Sequence, residues 1–599
     1  MKKQGKIFKF LSLIVCSSVV FSVGCGGNGG GGHTHIFDQK VEEEQYFKSE
    51  KTCTEAKQYY YSCTCGEKGD ETFSVGMKGV HSYTASVADE QYVKTPATCQ
   101  SQAVYYMSCV YCGRSSNLDS KTFTGGEFGD HNYTQKVASE KYLVSEATFE
   151  TAAVYYKSCV CGLVGTETFT DGKPLRDLTE EEKEGYKPIS LTMTLYDSTN
   201  SIYGFTYHTK EKPLRPVIQI EKGNALTENA QEISALYQKW SSYDKDKDDK
   251  DYSISYYVAK AEIELEPLTT YTYRVYDKYA AVGSEPVTFQ TKDTKATSFS
   301  FSHMSDTQSV ASGAQPDTGL YFREVLGNLN TDFILHTGDV VEVAKYEYEW
   351  DAMLHGNFEY LSKIPMMAIA GNHDAGTYYK AGSSELTKHF NNKIPDQTSV
   401  LDGYYYSFTY GNVKFIMLNT NNNNSTTLEV EQYNWLVNEL QNNDSDWTIV
   451  AMHAPLYSVG QWGADPEKNE QSLMLRGQLK GIFAEYDVDI VLQGHDHLIS
   501  RTNPIDKNGN PTTERWQTEN GIEYSVDPSG VIYVMDGAVG TQTKSVVGVE
   551  QGFYHYAQSS PVRAWADITI DGDTLTYEVK NYNGVSVNSI KRWGIKKSA

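Results

Sequence analysis

The spacing of apolar residues changes several times along this chain, and each change predicts a different element. Phe10 to Val23 is one apolar stretch behind Lys2, Lys3, Lys6 and Lys9. It falls short of the roughly 18 residues that span a bilayer, so residues 1–25 read as an export signal. "GGNGGGG", residues 26–32, reads as a flexible tether. After a charged linker over 176–188, apolar and polar residues alternate. "SLTMTLY", "SIYGFTYHT", "PVIQIE" and "PVTFQT" predict strands, and together a β-sandwich over 189–294. From 295 to 599, apolar runs alternate with stretches of helical spacing such as "TGLYFREVLGNLN" and "LEVEQYNWLVNELQ". That pattern predicts an α/β domain. "GVIYVMDGAVGTQ" and "RAWADITIDGDTLTYEVKNYNG" predict its closing strands.

A chain of 599 residues has room for about four domains. The 77 Asp and Glu against 53 Lys and Arg leave a net charge of −24. This argues against nucleic acid or anionic lipid as a general partner, and slows anionic substrates unless cations reverse the field locally. "DKDKDDKD", residues 244–251, is a solvated charged loop. A calcium loop would need Gly where Asp249 stands and Glu where Ser255 stands.

Residues 33–80, 81–130 and 131–175 repeat one pattern. His35, His81 and His131 open the units; Cys53, Cys99 and Phe149 follow eighteen residues later, and Cys63, Cys109 and Cys159 ten after those. Cys65, Cys112 and Cys161 close them. Exported cysteines usually form disulfides, but the three thiols in each of the first two units cannot pair evenly, and a C-x-C pair bridges itself poorly. One His with three Cys makes a closed zinc shell. The expected sets are His35, Cys53, Cys63 and Cys65, then His81, Cys99, Cys109 and Cys112. The third unit, with Phe149 for a ligand, is expected to bind weakly or to pack around that ring.

The chemistry lies where the later apolar runs end. They deliver Asp306 and Gln308, then Asp339 and Glu342, then Asn372, His373 and Asp374, then His453, then His495 and His497. Ligands gather at the carboxyl ends of strands in α/β folds. Carboxylate, amide and imidazole without thiolate suit two divalent ions such as Mn, Fe or Zn, with one carboxylate shared between them. "NTNNNN", residues 419–424, and "YSVGQWG", residues 457–463, are expected to rim the pocket.

In this order, D-x-x…G-D…G-N-H-D…H…G-H-x-H resembles the calcineurin-like metallophosphoesterases, and the preceding sandwich with "GHDHLISRT" resembles their purple acid phosphatase branch. The resemblance covers about 189–599 and implies a four-layer α/β/β/α sandwich. It further implies that Asp306, Asp339 and His497 hold the first metal. Asp339 then bridges to a second, held by Asn372, His453 and His495. His373 faces the substrate and Asp374 orients it. The branch's tyrosine is Glu342 here, which removes the reason to expect purple colour. The wider family's His is Gln308, so the fourth ligand is Gln308, Glu342 or water, with Gln308 preferred. Ile499 and Ser500 replace the branch's Tyr-Glu before Arg501. The implied reaction is phosphoester hydrolysis, phosphomonoesters foremost, by a hydroxide shared between the metals, with His373 as acid. Phosphodiesterase or nucleotidase is the alternative, and a non-enzymatic surface or spacer protein a further one, against which the intact ligand set argues.

Three smaller resemblances complete the picture. "SVGC" resembles the bacterial lipobox, which implies a lipid on Cys25 and an extracytoplasmic, membrane-anchored protein; plain secretion is the outcome if Cys25 is not lipidated. The repeats resemble short His/Cys repeats on surface proteins of gut-type Gram-positive bacteria, implying a stalk or wall-proximal spacer. Leu265-x-Pro267-x-Thr269-x-Tyr271 resembles the tyrosine corner of immunoglobulin-like sandwiches, implying a fibronectin III-like domain.

Overall fold

A computed structural model describes residues 35–598, apart from 119, 149–150, 173–177, 247–249, 310–317, 376–384, 397, 399–402, 422–425, 549–551 and 561–562. The export signal, the glycine tether, Cys25 and Phe149 lie outside the described residues. Two compact units result, one of Met1–Asn132 with Cys159–Leu163, the other of Tyr133–Ser158 with Val164–Ala599.

The first unit is built from short antiparallel strands. In the first repeat Phe47–Ser49, Lys57–Ser62 and Lys68–Val75 form a sheet around Tyr46, Tyr59 and Phe73. The second repeats this with Val93–Thr95, Gln102–Tyr106 and Thr122–Phe128. The cysteines do not group as the spacing predicts. Cys53 lies with His81, Cys109 and Cys112, and Cys99 with His131, Cys159 and Cys161. His35, Cys63 and Cys65 gather without Cys53. The reason is the strand between: Lys57–Ser62 separates Cys53 from Cys63, and an extended chain advances about 3.3 Å per residue. The two thiols therefore sit at opposite ends of one strand. The third repeat, expected to be degenerate, has a full set because it takes Cys99 from its predecessor.

In the second unit the predicted sandwich forms. Ile189–Asp197, Ile202–Thr209, Asp251–Glu264 and Leu236–Lys245 make one antiparallel sheet. Gln231–Ser234, Pro216–Lys222 and Thr270–Asp277 make the other, with Val282–Gly283 and Val287–Gln290 both on Thr270–Asp277. Met193, Phe205, Ile218, Tyr273 and Phe289 share the core between them. Tyr271 Oη accepts the Glu266 N–H at 3.2 Å, the contact its spacing predicts. The sandwich is fastened to the α/β domain: Thr194 Oγ1 donates to the Asn391 carbonyl (2.6 Å) and Tyr273 Oη to that of Ser362 (2.7 Å).

Residues 298–598 form four layers. One eight-stranded sheet has Met366–Ala368, Phe333–His336 and Ser298–Met304 parallel at one side. One seven-stranded sheet has Val413–Leu418, Trp447–Met452, Ile490–Gln493 and Ile532–Asp536 parallel at its centre. Phe301 and Phe333 of the first meet Phe415 of the second at ring distances of 5.2 and 5.5 Å. Helices Thr318–Leu326 and Glu347–Leu354 pack Phe322, Trp350 and Met353 on the outside of the first sheet. Helices Val430–Gln441 and Glu470–Glu485 pack Leu436, Leu475 and Leu479 on the second.

Arg501 belongs to this framework. Its guanidinium is fully buried, forks onto Glu514 at 2.9 and 2.5 Å, and lies 4.3 Å from the Trp593 ring centroid. Removing one partner of a buried pair leaves an uncompensated charge. Glu514→Ala is therefore expected to cost about 3–5 kcal/mol, read as a lowered thermal midpoint.

Candidate metal centre

The parallel strands of each sheet run the same way, so their carboxyl ends form one edge. Ser298–Met304 leads to Asp306, Phe333–His336 to Asp339, and Met366–Ala368 to Asn372 and His373. From the other sheet, Trp447–Met452 leads to His453 and Ile490–Gln493 to His495 and His497. The centre lies where the ends of both sheets meet.

Four of these residues have left-handed backbones: Asp306 (φ 54°), Asp339 (φ 55°), His495 (φ 74°) and His497 (φ 52°). Such conformations cost about 1–3 kcal/mol each and collect at functional sites. Here each turns the chain sharply just past its strand. That lets both histidines face inward while Asp496 between them turns to Ser458 Oγ (2.6 Å) and the Trp462 N–H (3.3 Å). Glycines make room for the turns. A Cβ on Gly371 would lie 2.0 Å from Asp339 Oδ1, and one on Gly494 2.1 Å from Ser305 Oγ.

The ligand atoms converge. His453 Nε2 is 3.2 Å from Asp339 Oδ2, 3.1 Å from Asn372 Oδ1 and 3.1 Å from His495 Nδ1. His497 Nε2 is 3.2 Å from Asp306 Oδ1. The far ring nitrogens are already bonded: His453 Nδ1 donates to the Thr337 carbonyl and His497 Nδ1 to that of Gln542, both at 2.8 Å. With Nδ1 keeping its proton on a carbonyl, Nε2 is the atom left to offer a lone pair to a cation that displaces any proton there. Those nitrogens face carboxylate and amide oxygens, a donor set that converges as ligands to a cation would. Gln308 adds to the case: Nε2 donates to Asp339 Oδ2 (3.2 Å), while its buried Oε1 has no hydrogen-bond partner. The donor set fits divalent metals.

The charges agree. Burial alone would raise the Asp306 and Asp339 carboxyls, but His497 beside the first and His453 beside the second hold both below the ordinary carboxylate range. Burial opposes the charge on His453, yet Asp339 and Asp306 raise its pKa to about 9. Two buried carboxylates thus draw positive charge into the site.

Asp374 takes a different place from the one expected, while His373 sits beside the ligands. The His373 ring Nδ1 donates to the Glu342 carbonyl at 2.7 Å, and its backbone N–H donates to Asp339 Oδ1 at 2.8 Å. Burial works against its charge, but Asp339 and the Glu342 carbonyl raise its pKa above the ordinary value. Asp374 does not orient that ring. Its buried carboxylate accepts the backbone N–H groups of Gly371, Val340 and Val341 at 2.9–3.2 Å. It ties the Asn372 loop to the Asp339 loop. Glu342 is half-buried, with Oε1 3.7 Å from His373 Nδ1 and Oε2 accepting from Gln542 Nε2 at 3.1 Å. Of the expected rim, Trp462 stacks obliquely on His495 at 5.1 Å and Asn421 Nδ2 donates to the Ala370 carbonyl (2.7 Å). Residues 422–424 lie outside the described residues.

Sequence reasoning missed Thr337, Gln542 and Lys544. The first two act through carbonyls, which no residue type marks. Lys544 Nζ donates to the His495 carbonyl at 2.7 Å, bringing a cation to the edge of an acidic protein.

Comparison with known proteins agrees with this geometry. Residues 299–498 match the family described as calcineurin-like phosphoesterase. Purple acid phosphatase 23 of Arabidopsis thaliana is 27% identical over 311 residues, covering 47% of this chain and 61% of that protein, less than two thirds of its length. Human tartrate-resistant acid phosphatase type 5 is 26% identical over 282 residues, covering 43% of this chain and 78% of that one. Among solved structures, the purple acid phosphatase PPD1 from yellow lupin seeds shares the fold, with a TM-score of 0.56 at 17% identity, over 75% of this chain and 80% of that one. Residues 299–498 thus match the calcineurin-like phosphoesterase family, in a chain that is similar to purple acid phosphatases over part of its length.

Proposed function

We propose that this chain hydrolyses phosphoesters, phosphomonoesters foremost, with two divalent cations at the meeting edge of its two sheets. The observation that carries the reading is the convergence of Asp339 Oδ2, Asn372 Oδ1, His453 Nε2 and His495 Nδ1, with Asp306 and His497 paired beside them. Asp306, Gln308 and His497 would hold one cation, Asn372, His453 and His495 the other, with Asp339 between. Bound there, the cations supply Lewis acidity toward phosphoryl oxygens and a water acidic enough to be nucleophilic near neutral pH.

The chain's own residues do the rest. Asp339 aligns the His373 backbone, and the Glu342 carbonyl holds the His373 ring by Nδ1. Nε2 is left to donate a proton to the leaving alkoxide or a hydrogen bond to a phosphoryl oxygen. Lys544 offsets the chain's negative field at the entrance. Trp462 offers an aromatic wall to an organic leaving group. The test is a screen of phosphomonoesters, phosphodiesters and nucleotides on the metal-loaded protein. Monoesters are expected to turn over fastest, and diester preference would reject that specificity.

Gln308 is our choice for the remaining ligand of the first cation, on its free buried oxygen and its contact with Asp339. Gln308→Ala is expected to lower metal content more than Glu342→Ala, measured by elemental analysis after dialysis. Equal or reversed losses would reject it. With no tyrosine at position 342, the iron form is expected to lack a tyrosinate band.

We place the protein outside the cytoplasm, anchored through a lipid on Cys25, on the basic, apolar and "SVGC" segments in succession. The fibronectin III-like reading of residues 189–294 rests on the Tyr271 contact and the two facing sheets. Cys25→Ser is expected to release the protein into the medium, as seen by fractionation.

A further inference from the structure

The repeats carry a second kind of metal chemistry, independent of the hydrolase domain. Two sets of one histidine and three cysteines are complete: Cys53 with His81, Cys109 and Cys112, and Cys99 with His131, Cys159 and Cys161. In each, the ligand atoms all lie within 4.8 Å of one another. Cys53 Sγ is 3.3 Å from Cys109 Sγ, and Cys112 Sγ 3.3 Å from His81 Nδ1. In the second set the matching distances are both 3.2 Å. A disulfide would bring two sulfurs to about 2.05 Å. Tetrahedral zinc, with bonds of about 2.3 Å to sulfur and about 2.0 Å to nitrogen, sets its ligands about 3.5–3.8 Å apart.

We infer that each set is a structural zinc site built across a repeat junction, in which one repeat donates its first cysteine forward to the His-Cys-Cys group of the next.

Two observations converge on this. The turn that presents the paired cysteines is shared by all three repeats. The N–H of Gly66, Gly113 and Gly162 bonds back to the carbonyl of Cys63, Cys109 and Cys159, at 2.8 Å in each. Those glycines have φ of 89°, 70° and 83°, which glycine adopts without penalty. Secondly, Phe149 stands where the last repeat would carry its forward cysteine. Within one repeat that is a lost ligand. In a forward chain it is the expected end, since no further repeat is there to receive one. The repeats need the support a metal gives: among the described residues the first has a hydrophobic cluster of Tyr46, Tyr59 and Phe73, and small units lacking a core fold on metals or disulfides.

The test uses the full chain loaded with zinc, with cysteine alkylation mapped by peptide mass spectrometry and zinc counted alongside. Cys53→Ser is expected to lose one zinc relative to the parent and to expose Cys109 and Cys112, leaving Cys63 and Cys65 as they were. Cys99→Ser should expose Cys159 and Cys161 and leave Cys109 and Cys112 protected. If Cys53→Ser fails to fold, His81→Gln reads the same junction and should free Cys53 with Cys109 and Cys112. Exposure of Cys63 and Cys65 in Cys53→Ser would restore grouping within repeats and overturn the proposal. So would unchanged zinc content, or cysteines found as disulfides in the exported protein with no zinc bound.

Discussion

Asp339→Asn is expected to remove turnover by at least about 10³-fold, or about 4 kcal/mol of transition-state stabilisation, and to lower metal content with it. The carboxylate reaches three groups of the site: His453 Nε2 and Gln308 Nε2 at 3.2 Å, and the His373 N–H at 2.8 Å. Asparagine keeps the shape and tolerates the left-handed backbone that position requires, so the fold survives. What is lost is the negative charge that two neighbouring cations need between them. Elemental analysis beside steady-state kinetics checks both parts. A variant with two metals and near-parental turnover would refute the bridging assignment.

His373→Ala is expected to behave differently, keeping its metals while losing about 10²–10⁴-fold in rate, the range for a positioned acid or base. The ring contacts the Glu342 carbonyl and carboxylate, not the converging ligand atoms, so its removal leaves the metal shell intact. If the ring protonates the departing oxygen, the loss should shrink for esters with acidic leaving groups. A loss equal for alkyl and activated aryl phosphates would point instead to stabilisation of the phosphoryl oxygens. Depletion of metal in this variant would show that the residue has been given the wrong role.

The α/β half was legible because each candidate ligand closes an apolar run, and apolar runs of that length become strands. The carboxyl ends of those strands gather Asp306, Asp339, Asn372, His453, His495 and His497. What the sequence hides is backbone work. Asp374 looks like a partner for His373 because it is next in the chain, yet its carboxylate is spent on three amides. Arg501 gives no sign of Glu514, thirteen residues on. In the repeats the ligand types were legible but their grouping was not. Spacing counts residues, while a strand converts ten residues into distance; the six of Lys57–Ser62 keep Cys53 from Cys63.

The position of the metal centre on the seam between two sheets sets the order of assembly. Asp306 and His495 share a hydrogen bond across 189 residues of chain. No partial chain ending before that point can assemble the full ligand set. Closing so long a loop is slow compared with forming local helices, and the buried carboxylates lack their counter-ions until it is done. A complete ligand set therefore requires both sheets to be in place. A substitution that loosens the Phe301, Phe333 and Phe415 contact is accordingly expected to weaken metal binding at a distance, because binding is linked to the fold that unites the ligands.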